Sequence, residues 1–150
     1  MDAVTYPSKD VSDYIADSFV PWRVDYRKET RVLGRFHVNW TPTVLFLDAR
    51  ERERYRLIGY VPPGILLAHM MLAQGKAAFE TSRYKDAVEH YDRMVREFPG
   101  SEEAPQALYF KGVASFKQTG DDADLEEAAS ELKSLHPRSE WTLRTKPWLT

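Results

Sequence analysis

The chain is predicted to join an α/β segment to an all-α segment, and three observations predict it. The apolar pattern changes character near residue 62, from short strand-like runs to a period of 3.6. A continuous apolar run, TVLFLD (43–48), is followed by a polar turn and by RYRLIGY (54–60), which together read as a β-hairpin. A stretch opening on Gly75 repeats loosely from Gly112.

Taken in order, FVPWRVDY (19–26) is rich in β-formers and is expected to be a partly buried strand, with Pro21 placing it at an edge or a strand start. Val32, Leu33 and Phe36 fall at helical spacing and predict a short helix within 28–38. Pro62 and Pro63 suit the first turn of a helix, where a missing N–H costs nothing. The apolar pattern then continues from Ile65 to Phe79. That is long for one surface helix, so its front half is expected to pack on the sheet and its back half on the helices beyond it. Such sharing predicts a rigid junction in place of a linker. Three amphipathic stretches come next, at 83–101, 102–121 and 123–139, separated by turn signals such as Pro99-Gly100-Ser101 and Gly120-Asp121. The tail EWTLRTKPWLT is expected to be a short capping helix.

Composition narrows the chemistry. Of 150 residues, 43% are hydrophobic and 29% charged, an ordinary globular balance, and the net charge of −2 offers no global field for nucleic acid or an anionic membrane. No apolar window is long enough to span a bilayer, and the N-terminus MDAVTYPSKD lacks a signal-peptide pattern, so a cytoplasmic location is expected. The sequence contains no cysteine, which removes disulfides, thiolate metal sites and thiol nucleophiles. His37, His69, His90 and His136 are scattered without a ligand spacing, so no metal or other cofactor is expected. The basic-looking ARERERYR (49–56) alternates with Glu51 and Glu53 and reads as a solvated surface, not a nucleic-acid contact.

The repeat resembles the tetratricopeptide pattern. In the first copy Gly75, Tyr84, Ala87, Tyr91 and Pro99 fall at the motif's spacings. The second, with Gly112, Leu125, Ala128, Leu132 and Pro137, is looser and needs an altered inter-helix loop. The phrase FPGSEEAPQALYFKGVASFKQTGD is similar to the variety in bacterial cell-envelope assembly proteins. The resemblance implies helical hairpins in which small residues allow close approach and aromatics fill the gaps.

Upstream, RVLGRFHVNWTPT, VLFLDARERERYRLIGY and VPPGILLAHMMLAQG resemble the helix, proline loop, hairpin and last helix of the thioredoxin-like family. Gly59 falls where that family keeps a glycine, and MDAVTYPSKDV resembles the residues just after the active-site cysteine pair in one bacterial branch. The fold class expected is therefore α/β plus α: an incomplete thioredoxin-like βαββα unit over 1–74, then tetratricopeptide-like hairpins over 75–150, sharing the helix near 63–81. The first strand, first helix, second strand and Cys-x-x-Cys of the family have no counterpart here. Three remedies are open for the missing central strand: direct pairing of 19–26 with 43–48, a strand from another chain, or an upstream segment of the gene.

The resemblance implies a cis bond before Pro42 and an exposed Thr41 backbone beside a groove where substrates pair as an added strand. Trp40, Thr41 and Pro42 are thus the candidate peptide-binding residues. The plainer expectation is that Thr41-Pro42-Thr43 only starts a buried strand, with Trp40 packing into the core left open. Trp141 and Trp148 are candidates for a self-association interface. Thiol–disulfide exchange needs a thiolate, so no catalytic residue is expected and the chain reads as a non-catalytic module for a protein partner or a second copy. The alternative is the C-terminal portion of a thiol–disulfide oxidoreductase whose Cys-x-x-Cys segment precedes Met1.

Overall fold

The computed structural model describes residues 1–149. Helices α1 (Lys9–Ser18) and α2 (Thr30–Arg35) precede strands β1 (Thr43–Leu47) and β2 (Glu53–Ile58). Helices α3 (Pro63–Glu80), α4 (Tyr84–Glu97), α5 (Ala104–Thr119), α6 (Ala123–Leu135) and α7 (Glu140–Arg144) come after them, with a final 3-10 turn at Lys146–Trp148. This is mixed α/β plus α architecture. Two compact units divide within α3, one covering Met1–Leu67 and the other running from Ala68 onward.

In the first unit β1 and β2 form a two-stranded antiparallel sheet, pairing Thr43 with Ile58 and Leu45 with Arg56. The turn between them is organised by Asp48, whose carboxylate accepts from the Arg50 and Arg52 backbone N–H groups at 2.8 and 2.9 Å. It also receives the Arg52 and Arg54 guanidinium groups at 2.8 Å. These donors, the Arg52 N–H first, hold the Asp48 carboxyl well below the usual carboxylate range. Arg56 pairs with Glu53 at 2.6 Å. Arg52, Arg54 and Arg56 are thereby engaged by carboxylates of the hairpin itself. On one sheet face Phe46 is buried and meets Phe19 and Tyr55, while Tyr14 of α1 meets Phe19. Thr5, fully buried, donates to the Val61 carbonyl at 2.7 Å and ties the N-terminal turn to the segment before α3.

The strand expected at 19–26 is not formed. Residues 19–25 lie outside any helix or strand, Val20 is 96% exposed and Trp22 57%. A β-rich composition orders as a strand only when a neighbouring backbone supplies the ladder, and none adjoins this run. The direct pairing of 19–26 with 43–48, one of the expected arrangements, is therefore not formed.

In the second unit each helix buries the face its periodicity marks: Ala87, Tyr91, Met94 and Val95 on α4, Ala104, Ala107, Leu108 and Gly112 on α5, Ala128, Ala129 and Leu132 on α6. Consecutive helices α4, α5 and α6 pack in sequence. The two repeat glycines explain the close approach. A Cβ on Gly75 would stand 2.5 Å from the Tyr91 ring, and one on Gly112 only 2.3 Å from the Ala128 Cβ. Tyr91 and Ala128 sit the same number of residues after their glycines, so Ala128 stands in register with Tyr91 and not, as its residue type suggests, with Ala87. The chain leaves α5 through Gly120, whose φ of 76° is a left-handed stop that favours glycine.

Polar contacts are also drawn into this unit, the pairing of His69 with Glu103 among them. His69 on α3 lies 3.1 Å from Glu103, which caps α5, with their side chains only 11% and 14% exposed. The His69 hydrogen bond, above all, lowers the Glu103 pKa. A carboxyl depressed in the folded state adds stability above its unfolded pKa and loses it as pH falls through the folded value.

Two expectations concern the stability of the purified protein. Gly112→Ala should lower stability by about 1–3 kcal/mol by overpacking, whereas Gly64→Ala, which meets nothing within 4 Å, should be neutral or slightly stabilising; chemical denaturation measures both. Glu103→Gln should cost about 1–3 kcal/mol at neutral pH, and its deficit against the wild type should shrink as pH falls below the ordinary carboxylate range.

Candidate functional site

The loop between α2 and β1 is built by backbone constraints on both sides. Helix α2 ends where the His37 and Val38 N–H groups return to the Gly34 and Leu33 carbonyls at 3.2 and 2.9 Å, with His37 in the left-handed region at φ 51°. The Thr41–Pro42 bond is cis. Beyond it, the Thr43 hydroxyl donates to the Trp40 carbonyl at 2.7 Å, and the Gly59 N–H donates to the Pro42 carbonyl at 2.8 Å. Gly59 takes φ 95°, a conformation that favours glycine and turns the chain out of β2 at that point.

This arrangement puts Trp40 in solvent. Its side chain is 66% exposed, a correction to the expectation that it fills the open core. Pro42 and the two hydrogen bonds that flank it, one of them from distant Gly59, anchor the backbone on the C-terminal side of Trp40. Trp40, Thr41, Asn39 and Tyr26 line a shallow open depression of about 190 Å³. Tyr26 is 56% exposed; its sequence context points to a strand, and nothing local in that context places it beside Trp40. Among the described residues no backbone-to-backbone hydrogen bond involves Thr41. Thr41 therefore has no main-chain partner among the described residues and lies next to two exposed aromatic rings.

Trp141 and Trp148 are placed elsewhere, within the second unit. Trp148 stacks on Tyr109 at 4.6 Å between ring centroids, and Trp141 meets Tyr109 and Phe110 at 5.2 and 5.5 Å. The Arg144 guanidinium covers Trp141 at 4.3 Å. Both rings are half-buried and serve first as intramolecular packing of the chain end on α5. The surface next to them, Leu143 and Leu149, is about half exposed.

The sequence has no thiol, and among the described residues no group of three or more metal-binding side chains is assembled. No helix among the described residues is long and apolar enough to cross a membrane. Asp48 and Glu53 near the hairpin turn are engaged by arginines. Replacing Asp48 with Asn should loosen that turn selectively, seen as faster amide exchange at Arg50 and Arg52 with the helices of the second unit unaffected.

No family model, no curated protein and no solved structure matches this chain.

Proposed function

We propose that this chain is a non-catalytic protein-interaction module of thioredoxin-like and tetratricopeptide type. The observation that carries the reading is the exposed Trp40–Thr41 loop with Tyr26 beside it, where aromatic surface and free backbone coincide. The sequence resemblances supply the two family names, and the cis Thr41–Pro42 bond agrees with what the thioredoxin-like one implies. The close helix approach at Gly75 and Gly112 agrees with what the tetratricopeptide one implies.

A partner segment lying in extended form across Thr41 would take main-chain hydrogen bonds from it and set apolar side chains on Trp40 and Tyr26. Trp40 thus supplies contact area, Thr41 the backbone pairing, and Pro42 the anchored turn. The reading assigns no redox chemistry to these 150 residues, because exchange with a disulfide needs an attacking thiolate. A second reading rests on MDAVTYPSKDV: that the chain is the C-terminal part of a thiol–disulfide oxidoreductase. Genomic sequence in frame ahead of Met1 that encodes Cys-x-x-Cys would favour it, and a stop codon there would remove it.

An array of extended peptides tests the first reading. Wild-type protein should bind a subset with alternating apolar residues, and Trp40→Ala should weaken that binding about tenfold or more, as loss of a central aromatic contact does. Equal binding by Trp40→Ala, or none by the wild type, would overturn it. Insulin-disulfide reduction by the purified chain should stay at the uncatalysed rate.

A further inference from the structure

The outer edge of β1 is open, and its geometry is self-complementary. Pro42 and Gly59 form a hydrogen-bonded pair, so in the antiparallel register Val44 with Leu57 and Phe46 with Tyr55 are the pairs that exchange hydrogen bonds. The Asp48 N–H to Arg52 carbonyl bond at 3.0 Å continues the same alternation beyond the register shift. Thr43, Leu45 and Leu47 consequently direct their N–H and C=O groups away from β2. No backbone hydrogen bond from any other part of the described chain reaches them.

Proteins protect such edges with charge, proline or a covering element. β2 carries Glu53, Arg54 and Arg56, but β1 reads TVLFL, with neither a charge nor a proline in its five residues. Its side chains, Phe46 apart, are only partly buried. A two-stranded sheet is also marginal alone and gains from added strands.

We propose that β1 pairs antiparallel with β1 of a second copy of this chain, about a two-fold axis at Leu45. This deepens the interaction-module reading and rests on it, while using a different surface from the Trp40 loop. The three outward-directed residues are symmetric about Leu45, so one rotation satisfies all of them. Leu45 meets Leu45 of the partner subunit, and Thr43 meets Leu47 of the partner subunit. On the opposite face Val44 lies across from Phe46 of the partner subunit. Every cross-strand neighbour is then uncharged, and the result is a continuous four-stranded sheet with the charged β2 strands at its edges. An isologous contact of this kind closes on itself and stops at the dimer.

The absence of native cysteine makes the test direct. In a full-length Leu45→Cys variant the two thiols face each other across the axis. Directly opposed Cα atoms of a hydrogen-bonded pair lie about 5.5 Å apart, within disulfide reach. Mild oxidation should cross-link Leu45→Cys at least tenfold faster than Leu47→Cys, whose thiol faces Thr43 of the partner subunit. Sedimentation equilibrium of the wild type should give twice the chain mass. Leu45→Pro, which removes an N–H that points away from β2, should return it to one chain mass with its helical circular dichroism intact. If that variant misfolds, Leu45→Lys, which opposes like charges at the axis, should do the same. A monomer at all concentrations, or equal cross-linking of the two cysteine variants, would overturn the proposal. So would a monomer whose β1 edge is taken only by another protein's strand. Peptide binding lost in Trp40→Ala would still stand in each case, so the two readings fail separately.

Discussion

Main-chain hydrogen bonding is the constraint on which this structure turns. A backbone N–H or C=O removed from water must find a partner, and a hairpin supplies partners on only one side of each strand. Elsewhere the chain meets the requirement within helices. In the first unit it does not: the run at 19–25 finds no ladder and stays irregular, and β1 keeps alternate groups directed outward. The same shortage leaves Trp22 and Tyr26 in solvent, although their composition suits a buried strand. The open β1 edge is a consequence of that shortage, and Tyr26 beside the Trp40 loop shares it.

The second unit has the opposite character. Its helices satisfy their own backbones, so what remains is how closely they pack. Gly75 and Gly112 set that distance, because the space a methyl group would occupy is already filled by Tyr91 and Ala128. Aromatic residues then occupy the spaces between helices, from Phe79 and Tyr84 through Phe110 to Trp141. The chain end is fastened by Trp148 on Tyr109, and by Thr142, whose hydroxyl donates to the His136 carbonyl at 2.6 Å. His69 and Glu103 add a mostly buried hydrogen-bonded pair to this apolar packing.

Much of this is legible in the residues. The 3.6 period after Pro62 marks five helices, and TVLFL before a charged turn marks the hairpin, because these signals are local. The failures are all non-local. FVPWRVDY has the composition of a strand, yet a strand needs a neighbour that composition cannot supply. Trp40 looks like core because it is apolar, but its position is set by anchors at Pro42 and Gly59 that lie far apart in sequence. Residue type aligns Ala128 with Ala87, whereas spacing from the preceding glycine, a signal also present in the sequence, places it with Tyr91. The open edge of β1 is foreseeable only in part. The resemblance implies a missing pairing, but which residues face outward depends on the Pro42–Gly59 hydrogen bond.

Residue-resolved amide exchange across β1, at low and high protein concentration, tests this account most directly. In dilute solution Val44 and Phe46 should be protected while Leu45 and Leu47 exchange freely. At high concentration Leu45 and Leu47 should gain protection as well. Uniform protection of all four in dilute solution, or an alternation that concentration leaves unchanged, would contradict it.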